Sequence, residues 1–428
     1  MKSLELNPHV LQLKESSTLA INEKSKALRE QGKTIYHWGF GQSPFPIAKP
    51  IQNALVRHAH HKEYLPTQGL LQLRSTITEF YRRELDLEFS TDQVFIGPGS
   101  KELIFQLLYL LQGHVIIPAP SWVSYEPQIN IKGHKTSILI TKPSNNYKMT
   151  PEQLDEFCKT FSANQKTLIL NSPSNPSGQY YTDVELESLA PVLTKHNIIV
   201  ISDEIYGQVN FKLNQSPSLA KYYPERTIIT GGLSKAHSAG GYRLGYMLIP
   251  TTLSDILNPM KAMISETFSA VASPIQYAAI KAWDFTKEVE DEVRLCTQIH
   301  KACGEYVYKF LIKLNIQTPP PCGAFYLFIS FDYYRSKLEN LNILNSPDLC
   351  NYILDKFQIA LLPGDDFYYP AESLTARLAF VDYDGEKVLA AAKNTPHINE
   401  DFVELNCQQL VNGLKRLEEF TQSLISIK

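Results

Sequence analysis

The sequence predicts an α/β fold in which a mostly parallel central sheet is flanked by helices and joined to a smaller α+β domain. Between residues 94 and 230, short apolar segments alternate with helical patterns, which is typical of a parallel sheet covered on both faces. After about residue 285, a long charged helix and mixed strands follow. At 428 residues the chain exceeds the roughly 250–300 residues at which a single core stops growing. We therefore expect a large domain at 50–284 and a small domain built from 1–49 and 285–428.

The first elements are predicted from helix boundaries and turn residues. Ser17 is a suitable N-cap for a helix that ends at Gly32. Residues 39–46 hold two glycines and two prolines and must form a loop. Helices are expected at 50–61 and 70–84.

The alternation of strands and helices begins at residue 94. Its strands are short and rich in β-branched residues, whereas the segments between them include helical patterns. Strands are expected at 94–96, 115–117, 137–140, 167–170, 198–201 and 227–230, and helices at 101–111 and 183–195. In the small domain we expect a helix at 288–311, strands at 324–329 and 377–380, and a final helix at 400–425.

Charge and hydropathy argue against nucleic acid and membrane as partners. The chain has 41 Lys and Arg residues against 44 Asp and Glu residues, a net charge of −3. The most apolar stretch, 103–117, is interrupted by Gln106, Gln112, Gly113 and His114 and is too short and polar to span a bilayer. Glu5 lies among the first residues, which have no continuous apolar core, so we expect no signal peptide.

The six cysteines are far apart and form no C-x-x-C pair. This scatter is typical of reduced, buried thiols, so a cytoplasmic location is expected. His58, His60 and His61 have no cysteine or carboxylate at a metal-ligand spacing, and we expect them on differing faces of a helix end. No metal is therefore expected.

Unusual polar clusters follow three of the predicted strands. Residues 171–178 read Asn-Ser-Pro-Ser-Asn-Pro-Ser-Gly, residues 202–206 read Ser-Asp-Glu-Ile-Tyr, and residues 231–243 include Ser-Lys and an arginine. Each residue alone is compatible with a turn, a helix cap or a solvated charge. Ligands bind beyond the carboxyl ends of strands in open α/β sheets, so these side chains should meet in one crevice.

Together these motifs resemble the class I/II aminotransferases, which are enzymes of PLP fold type I and are typified by aspartate aminotransferase. The resemblance extends from the Gly41 loop to Arg377 and rests on the ordered set rather than on any single residue. It implies pyridoxal 5′-phosphate (PLP) as the cofactor. It also implies a ping-pong transfer of an amino group between an L-amino acid and a 2-oxo acid.

The resemblance assigns the catalytic chemistry to Lys235, Asp203 and Tyr206. Lys235 would carry PLP as a Schiff base and, once displaced, would move a proton as general acid and base. Asp203 would keep the pyridine nitrogen protonated, because an adjacent anion raises its pKa. Asn175 and Tyr206 would bond the 3-oxygen of the ring, and the Asn175–Pro176 bond is expected to be cis.

The same resemblance implies the rest of the cofactor site. Arg243 and the helix start at Gly99-Ser100-Lys101 would bind the phosphate, and Ser234 would add a hydroxyl. Some members have a hydroxyl three residues before the lysine, where this chain has Gly232, so one contact is missing or replaced. Trp122 would stack on the ring. Tyr64 would reach the phosphate of a neighbouring subunit, which implies a homodimer with shared active sites.

Substrate recognition is assigned to Arg377, which would clamp the α-carboxylate. The Gly41 loop and residues 321–326 would line the same pocket, with Asn175 and Trp122 contributing. Lys101 occupies the place where some aspartate-type members bind a distal carboxylate, but a surface lysine in the first turn of a helix explains it equally well.

Two alternatives remain open at this point. A PLP-dependent carbon–sulfur β-lyase shares nearly all of these residues, since one cofactor supports both chemistries. A non-catalytic binding or regulatory protein could also use the fold. The intact Lys235 and the short segment of about forty residues before the Gly41 loop argue against it.

Overall fold

The computed structural model describes residues 4–13 and 17–426 and contains three β-sheets in this part of the chain. The strands are β1 (Tyr36–His37), β2 (Val94–Gly97), β3 (His114–Ala119), β4 (Lys135–Ile140), β5 (Lys166–Asn171), β6 (Ile198–Asp203), β7 (Thr227–Gly232), β8 (Gly245–Leu248), β9 (Tyr326–Ser330), β10 (Ile359–Ala360), β11 (Leu362–Pro363) and β12 (Thr375–Ala379). The helices are α1 (Pro8–Leu11), α2 (Ser17–Glu30), α3 (Lys49–His58), α4 (Leu71–Leu85), α5 (Ser100–Leu110), α6 (Tyr125–Lys132), α7 (Pro151–Lys159), α8 (Asp183–Lys195), α9 (Leu257–Ser265), α10 (Ser273–Trp283), α11 (Lys287–Lys313), α12 (Arg335–Glu339), α13 (Ser346–Phe357), α14 (Gly385–Ala392), α15 (Glu400–Asn406) and α16 (Gln408–Ile425).

The largest sheet has seven strands in the order β2-β8-β7-β6-β5-β3-β4. Strand β8 runs antiparallel to both of its neighbours, and the remaining pairings are parallel. Every residue of β2, β6 and β8 is buried, because helices cover both faces of the sheet. The predicted fold class, a mostly parallel sheet flanked by helices, is confirmed.

The smaller sheet has the antiparallel order β11-β12-β9 and packs with the C-terminal helices around a separate apolar core. Strand β1 pairs in parallel with β10, which brings the N-terminal segment against this later part of the chain. That pairing agrees with a small domain made from both ends of the sequence. The boundaries at 50–284 and at 1–49 with 285–428 stay a prediction.

The structure corrects the predicted final helix at 400–425. It is interrupted at Cys407, whose ψ of 47° is not helical, so two helices replace one. The two parts pack on different partners, α15 against α11 and α16 against α13. No glycine or proline marks the break, because tertiary packing rather than local sequence produces it.

The expected separation of the three histidines on different helix faces is also wrong. Helix α3 ends at His58, and the rings of His58 and His61 both stack on Tyr277, with centroids 4.9 and 4.1 Å away. The ring of His60 lies 4.4 Å from that of His61. Across residues 4–13 and 17–426, no group of three or more His, Cys, Asp or Glu side chains is arranged to hold a metal ion. None of the helices in these ranges combines the length and apolar character needed to cross a bilayer.

Candidate active site

A cavity of about 560 Å³ lies beyond the carboxyl ends of β5, β6 and β7, where ligands bind in sheets of this type. Its walls come from the large sheet, from the loop at residues 40–42 and from the small sheet. The cavity is lined by all but one of the site residues predicted from sequence: Gly41, Ser100, Lys101, Trp122, Asn175, Asp203, Tyr206, Ser234, Lys235, Arg243 and Arg377.

Asp203 forms the buried floor of the cavity at the end of β6. Its carboxylate accepts hydrogen bonds from the Tyr125 hydroxyl (2.6 Å) and the Thr230 hydroxyl (3.3 Å). Burial raises the pKa of Asp203 despite these donors. A cationic group beside Asp203 would stabilise its ionised form and offset that desolvation.

Lys235 lies in the loop after β7. Its Nζ donates to the carbonyl of Gly41 (2.8 Å) and lies 5.3 Å from the ring centroid of Tyr206 and 5.6 Å from that of Phe325. The amine is therefore held inside the cavity, facing the residues 40–42 across it.

Tyr206 and Tyr326 form a buried pair of phenols. Their hydroxyl oxygens are 2.8 Å apart, and the Tyr326 hydroxyl also donates to the Gly41 carbonyl (3.2 Å). Burial, followed by the neighbouring Tyr326, raises the pKa of Tyr206 well above its usual value. Tyr206 is therefore a neutral hydrogen-bond donor near neutral pH.

One corner of the cavity is shaped to receive an anion. Helix α5 begins here, and its N-cap residue Gly99 supplies no side-chain acceptor for the first N–H groups. A Cβ on Gly99 would lie 2.6 Å from a guanidinium nitrogen of Arg243. The Arg243 guanidinium donates to the carbonyls of Gly240 and Pro98, at 2.8 and 3.1 Å.

The structure also gives a reason for Gly232, which stands where some members of the family that the sequence resembles have a hydroxyl. A Cβ on Gly232 would lie 2.8 Å from the Leu244 carbonyl oxygen and 2.9 Å from Gly245 Cα. A serine does not fit there without movement of this backbone. Ser234 lines the cavity nearby.

Arg377 lies on β12 and is 2% exposed. Its guanidinium donates to the Asn175 side-chain oxygen (3.1 Å) and the Gly39 carbonyl (2.6 Å). It also lies 4.8 and 5.1 Å from the ring centroids of Tyr326 and Phe367. Its buried Nε has no hydrogen-bond partner among the described residues. Unused donor capacity on a buried cation is a feature of a site for a carboxylate.

Lys101 and Trp122 occupy the cavity wall near α5. The Lys101 ammonium lies 5.4 Å from the Trp122 ring centroid, and its pKa is lowered by partial burial and by Arg243. Within the described residues, Lys101 forms no ion pair with a carboxylate. Four cationic side chains and one carboxylate, that of Asp203, line the cavity. The electrostatic potential of the cavity therefore favours anionic ligands.

Some sequence expectations are not met within this single chain. Tyr64 is 93% exposed and does not line the cavity. Of the predicted lining segment 321–326, Tyr326 reaches the cavity. The Asn175–Pro176 bond is cis, as expected.

Sequence reasoning missed Tyr125 and Asn171. Tyr125 follows Trp122 by nearly one helical turn and bonds Asp203, a contact that no local motif reveals. Asn171 ends β5; its amide donates to the Asp203 carbonyl (2.8 Å), and its side-chain oxygen accepts from the Asn175 N–H (2.7 Å). The position of Asn171 at a strand end was the available signal.

Comparisons with known proteins identify the family of this chain. The sequence model of the family described as Aminotransferase class I and II matches residues 34–392. The chain is 31% identical over 376 residues to the aspartate aminotransferase of Bacillus subtilis, covering 86% of this chain and 93% of that protein. It is 30% identical over 376 residues to the asparagine–oxo-acid transaminase of Streptococcus mutans, with the same coverage of each.

Solved structures show the same fold. The aspartate aminotransferase of Thermus thermophilus with maleate superposes with a TM-score of 0.83 at 24% identity, covering 97% of this chain and 99% of that one. The enzyme of that name from Thermotoga maritima gives a TM-score of 0.80 at 25% identity, covering 97% of this chain and all of that one.

The fold and cavity define a PLP-dependent enzyme of fold type I. The chain belongs to the aminotransferase class I and II family and is a PLP-dependent aminotransferase. The cavity fits that cofactor, because it offers a buried carboxylate, a lysine and an anion-binding helix start.

Proposed function

We propose that this aminotransferase acts on dicarboxylic amino acids, aspartate or glutamate, as a homodimer with shared active sites. The observation that carries the substrate assignment is the placement of Lys101 and Arg377 in one cavity, each available to a carboxylate. Relatives named aspartate aminotransferase, at 31% and 32% identity, support the same substrate class.

The cofactor would be held at both of its ends. The phosphate would be bound by Arg243, Ser100, Ser234 and the N–H groups at the start of α5. Asp203 would hold a proton on the pyridine nitrogen, and the bonds from Tyr125 and Thr230 orient its carboxylate. Asn175 and Tyr206 would bond the ring oxygen, and Trp122 would stack on the ring.

Lys235 provides the covalent attachment and then the proton transfer. PLP, when bound, withdraws electrons from the substrate Cα and so weakens its C–H bond. The Lys235 amine, once released, would take that proton and would deliver it to C4′ of the cofactor. Its reach towards Gly41 shows that the side chain extends across the cavity.

Arg377 and Lys101 orient the substrate. The α-carboxylate replaces the carbonyl and amide oxygens that Arg377 now bonds and adds a bond to its unused Nε. A distal carboxylate then meets the Lys101 ammonium, which removes part of the desolvation cost of both groups. Alanine can form the first interaction but not the second.

The substrate assignment is tested by comparing Lys101→Ala with the wild type. We expect kcat/KM for aspartate and glutamate to fall about 10–100-fold, the effect of losing one charged hydrogen bond, while the value for alanine changes less than threefold. Lys132→Ala is the matched control, since Lys132 also lies over an aromatic ring, that of Tyr109, outside the cavity. Equal losses for aspartate and alanine, or a loss of PLP affinity alone, would assign Lys101 to the cofactor instead.

The shared-site homodimer is supported by the exposure of Tyr64 and of two apolar residues close to it in the sequence, Val56 and Leu71. A mixed dimer of Lys235→Ala and Tyr64→Phe chains tests it. If Tyr64 serves the neighbouring subunit, one of the two sites is fully wild type, and the purified mixed dimer recovers close to half of the activity of the wild-type dimer. If Tyr64 acts within its own chain, no site is intact and activity stays at the level of the variants.

We further propose a cytoplasmic location. The structure contains free thiols at Cys158, Cys296, Cys303, Cys322, Cys350 and Cys407. Five of them are buried, which suits a reducing compartment.

A further inference from the structure

The hydroxyl of Tyr326 lies where three parts of the site meet. It is 2.8 Å from the Tyr206 hydroxyl and 3.2 Å from the Gly41 carbonyl oxygen, and a Cβ on Gly41 would collide with it. The ring of the same residue lies 4.8 Å from the Arg377 guanidinium. Tyr326 is 1% exposed, so water does not compete for these bonds.

A phenol has one proton to donate, and Tyr326 has two acceptors within reach. In the structure it donates to Gly41, and the proton of Tyr206 is then directed at Tyr326. If Tyr206 bonds the cofactor's ring oxygen, its proton is used there. The short contact between the phenols is then satisfied by donation from Tyr326 to the oxygen of Tyr206.

We propose that Tyr326 is a positioning residue that donates to Tyr206 and so holds the Tyr206 hydroxyl on the ring oxygen of PLP. This inference rests on the cofactor role proposed above for Tyr206. A phenol that accepts a hydrogen bond is a stronger donor through its own O–H, because bonds in a chain polarise one another.

The same change removes hydrogen bonds from the carbonyl of Gly41. Gly41 loses the Tyr326 donor, and it also loses Lys235 when that amine bonds the cofactor. Its carbonyl is then free of both donors seen in this structure. Tyr326 thereby links occupation of the cofactor site to the wall that faces the substrate.

The test is a pH titration of the visible absorbance of PLP-loaded Tyr326→Phe. Donation from Tyr206 favours the ionised ring oxygen and lowers the basicity of the attached nitrogen. Without Tyr326 the donor is weaker, so the pKa of the visible transition should rise by about half a unit to one unit. The phenyl ring remains under Arg377, so KM should change less than threefold, whereas Tyr326→Leu, which also lacks the ring, should raise KM further.

Two controls separate this role from a structural one. Tyr334→Phe removes the hydroxyl of another buried tyrosine, which donates to the Leu314 carbonyl (2.8 Å), and should leave the pKa unchanged. In a Tyr206→Phe background, adding Tyr326→Phe should produce no further shift. If Tyr326→Phe does not load PLP, Gly41→Ala, which displaces the Tyr326 hydroxyl, should raise the pKa in its place.

A shift below 0.1 unit, a downward shift, or a shift that persists without the Tyr206 hydroxyl overturns the proposal. Failure of the proposed substrate assignment would give a different result. In that case wild-type enzyme fails to turn over aspartate or glutamate, while its visible transition and the effect of Tyr326→Phe on it are still measured.

Discussion

The two sides of the cavity are stabilised in different ways. On the sheet side, formed by the ends of β5, β6 and β7, Asp203 accepts hydrogen bonds from the side chains of Tyr125 and Thr230. On the loop side, formed by residues 39–42 with β9 and β12, Arg377 and Lys235 donate to the backbone carbonyls of Gly39 and Gly41.

The difference indicates which part of the site is prepared in advance. The sheet side presents its carboxylate in a finished hydrogen-bond network, so little reorganisation is needed there. On the loop side, the cationic side chains donate to acceptors of the protein itself. An incoming carboxylate or covalent partner must take the place of these acceptors. Changes on the loop side should therefore affect ligand exchange, and changes on the sheet side should affect the cofactor.

The largest expected effect is that of Lys235→Ala, which removes both the attachment point and the proton-transfer group. Activity should fall by at least about 10⁴-fold, the upper range for loss of a general acid and base. Steady-state transamination measures this, with circular dichroism to show that the fold is retained. Residual turnover within tenfold of wild type would contradict the role of Lys235.

Arg377→Lys should have the next largest effect, since a lysine keeps the charge but loses the bidentate geometry. We expect kcat/KM for α-amino acids to fall by about 10²–10³-fold, consistent with disturbing a buried charged pair. A primary amine without an α-carboxylate is the control substrate and should be affected far less. Equal losses for both substrates would show that Arg377 does not bind the carboxylate.

Glu204→Gln sharpens the description of the sheet side through the pH dependence of stability. Burial raises the pKa of Glu204 to about 7, although Ser218 and Ser202 donate to it. Between the unfolded pKa and about 7 the folded chain binds more protons, so stability falls as pH rises through this window. The loss amounts to about 3 kcal/mol across it.

Thermal midpoints measured from pH 4.5 to 8 provide the check. The difference between wild type and Glu204→Gln should decrease steadily up to about pH 7 and then level off. A difference that does not change with pH would mean that Glu204 is ionised in the folded protein throughout.

Tyr125→Phe should have the smallest effect, because Asp203 keeps its bond from Thr230. Loss of one neutral donor predicts a decrease of about 3–10-fold in PLP affinity, with KM for the amino acid unchanged. Tyr223→Phe, which removes a buried hydroxyl that donates to the Ile198 carbonyl (3.0 Å), is the control. A change in KM without a change in PLP affinity would contradict the assignment of the sheet side to the cofactor.

The sheet side could be predicted well from sequence. Asp203 ends the buried strand β6, and parallel strands present their carboxyl ends at one edge, so its place in the cavity follows from the pattern. Tyr125 could not be found in this way, since its contact with Asp203 depends on how α6 packs beside the sheet.

The loop side was less accessible to prediction. The position of the Tyr326 hydroxyl between Tyr206 and Gly41 joins three distant segments, and no spacing in the sequence encodes that approach. The predictions of one continuous final helix and of separated histidines were wrong for the same reason. Packing between distant elements determines both the break at Cys407 and the histidine stack on Tyr277.

The most direct test of the account is the visible spectrum of PLP-loaded protein, followed by borohydride reduction and peptide mapping. We expect an absorbance band that glutamate or aspartate bleaches and a 2-oxo acid restores, with the reduced cofactor recovered on Lys235. No band after PLP is added, or no adduct at Lys235, would contradict the central claim.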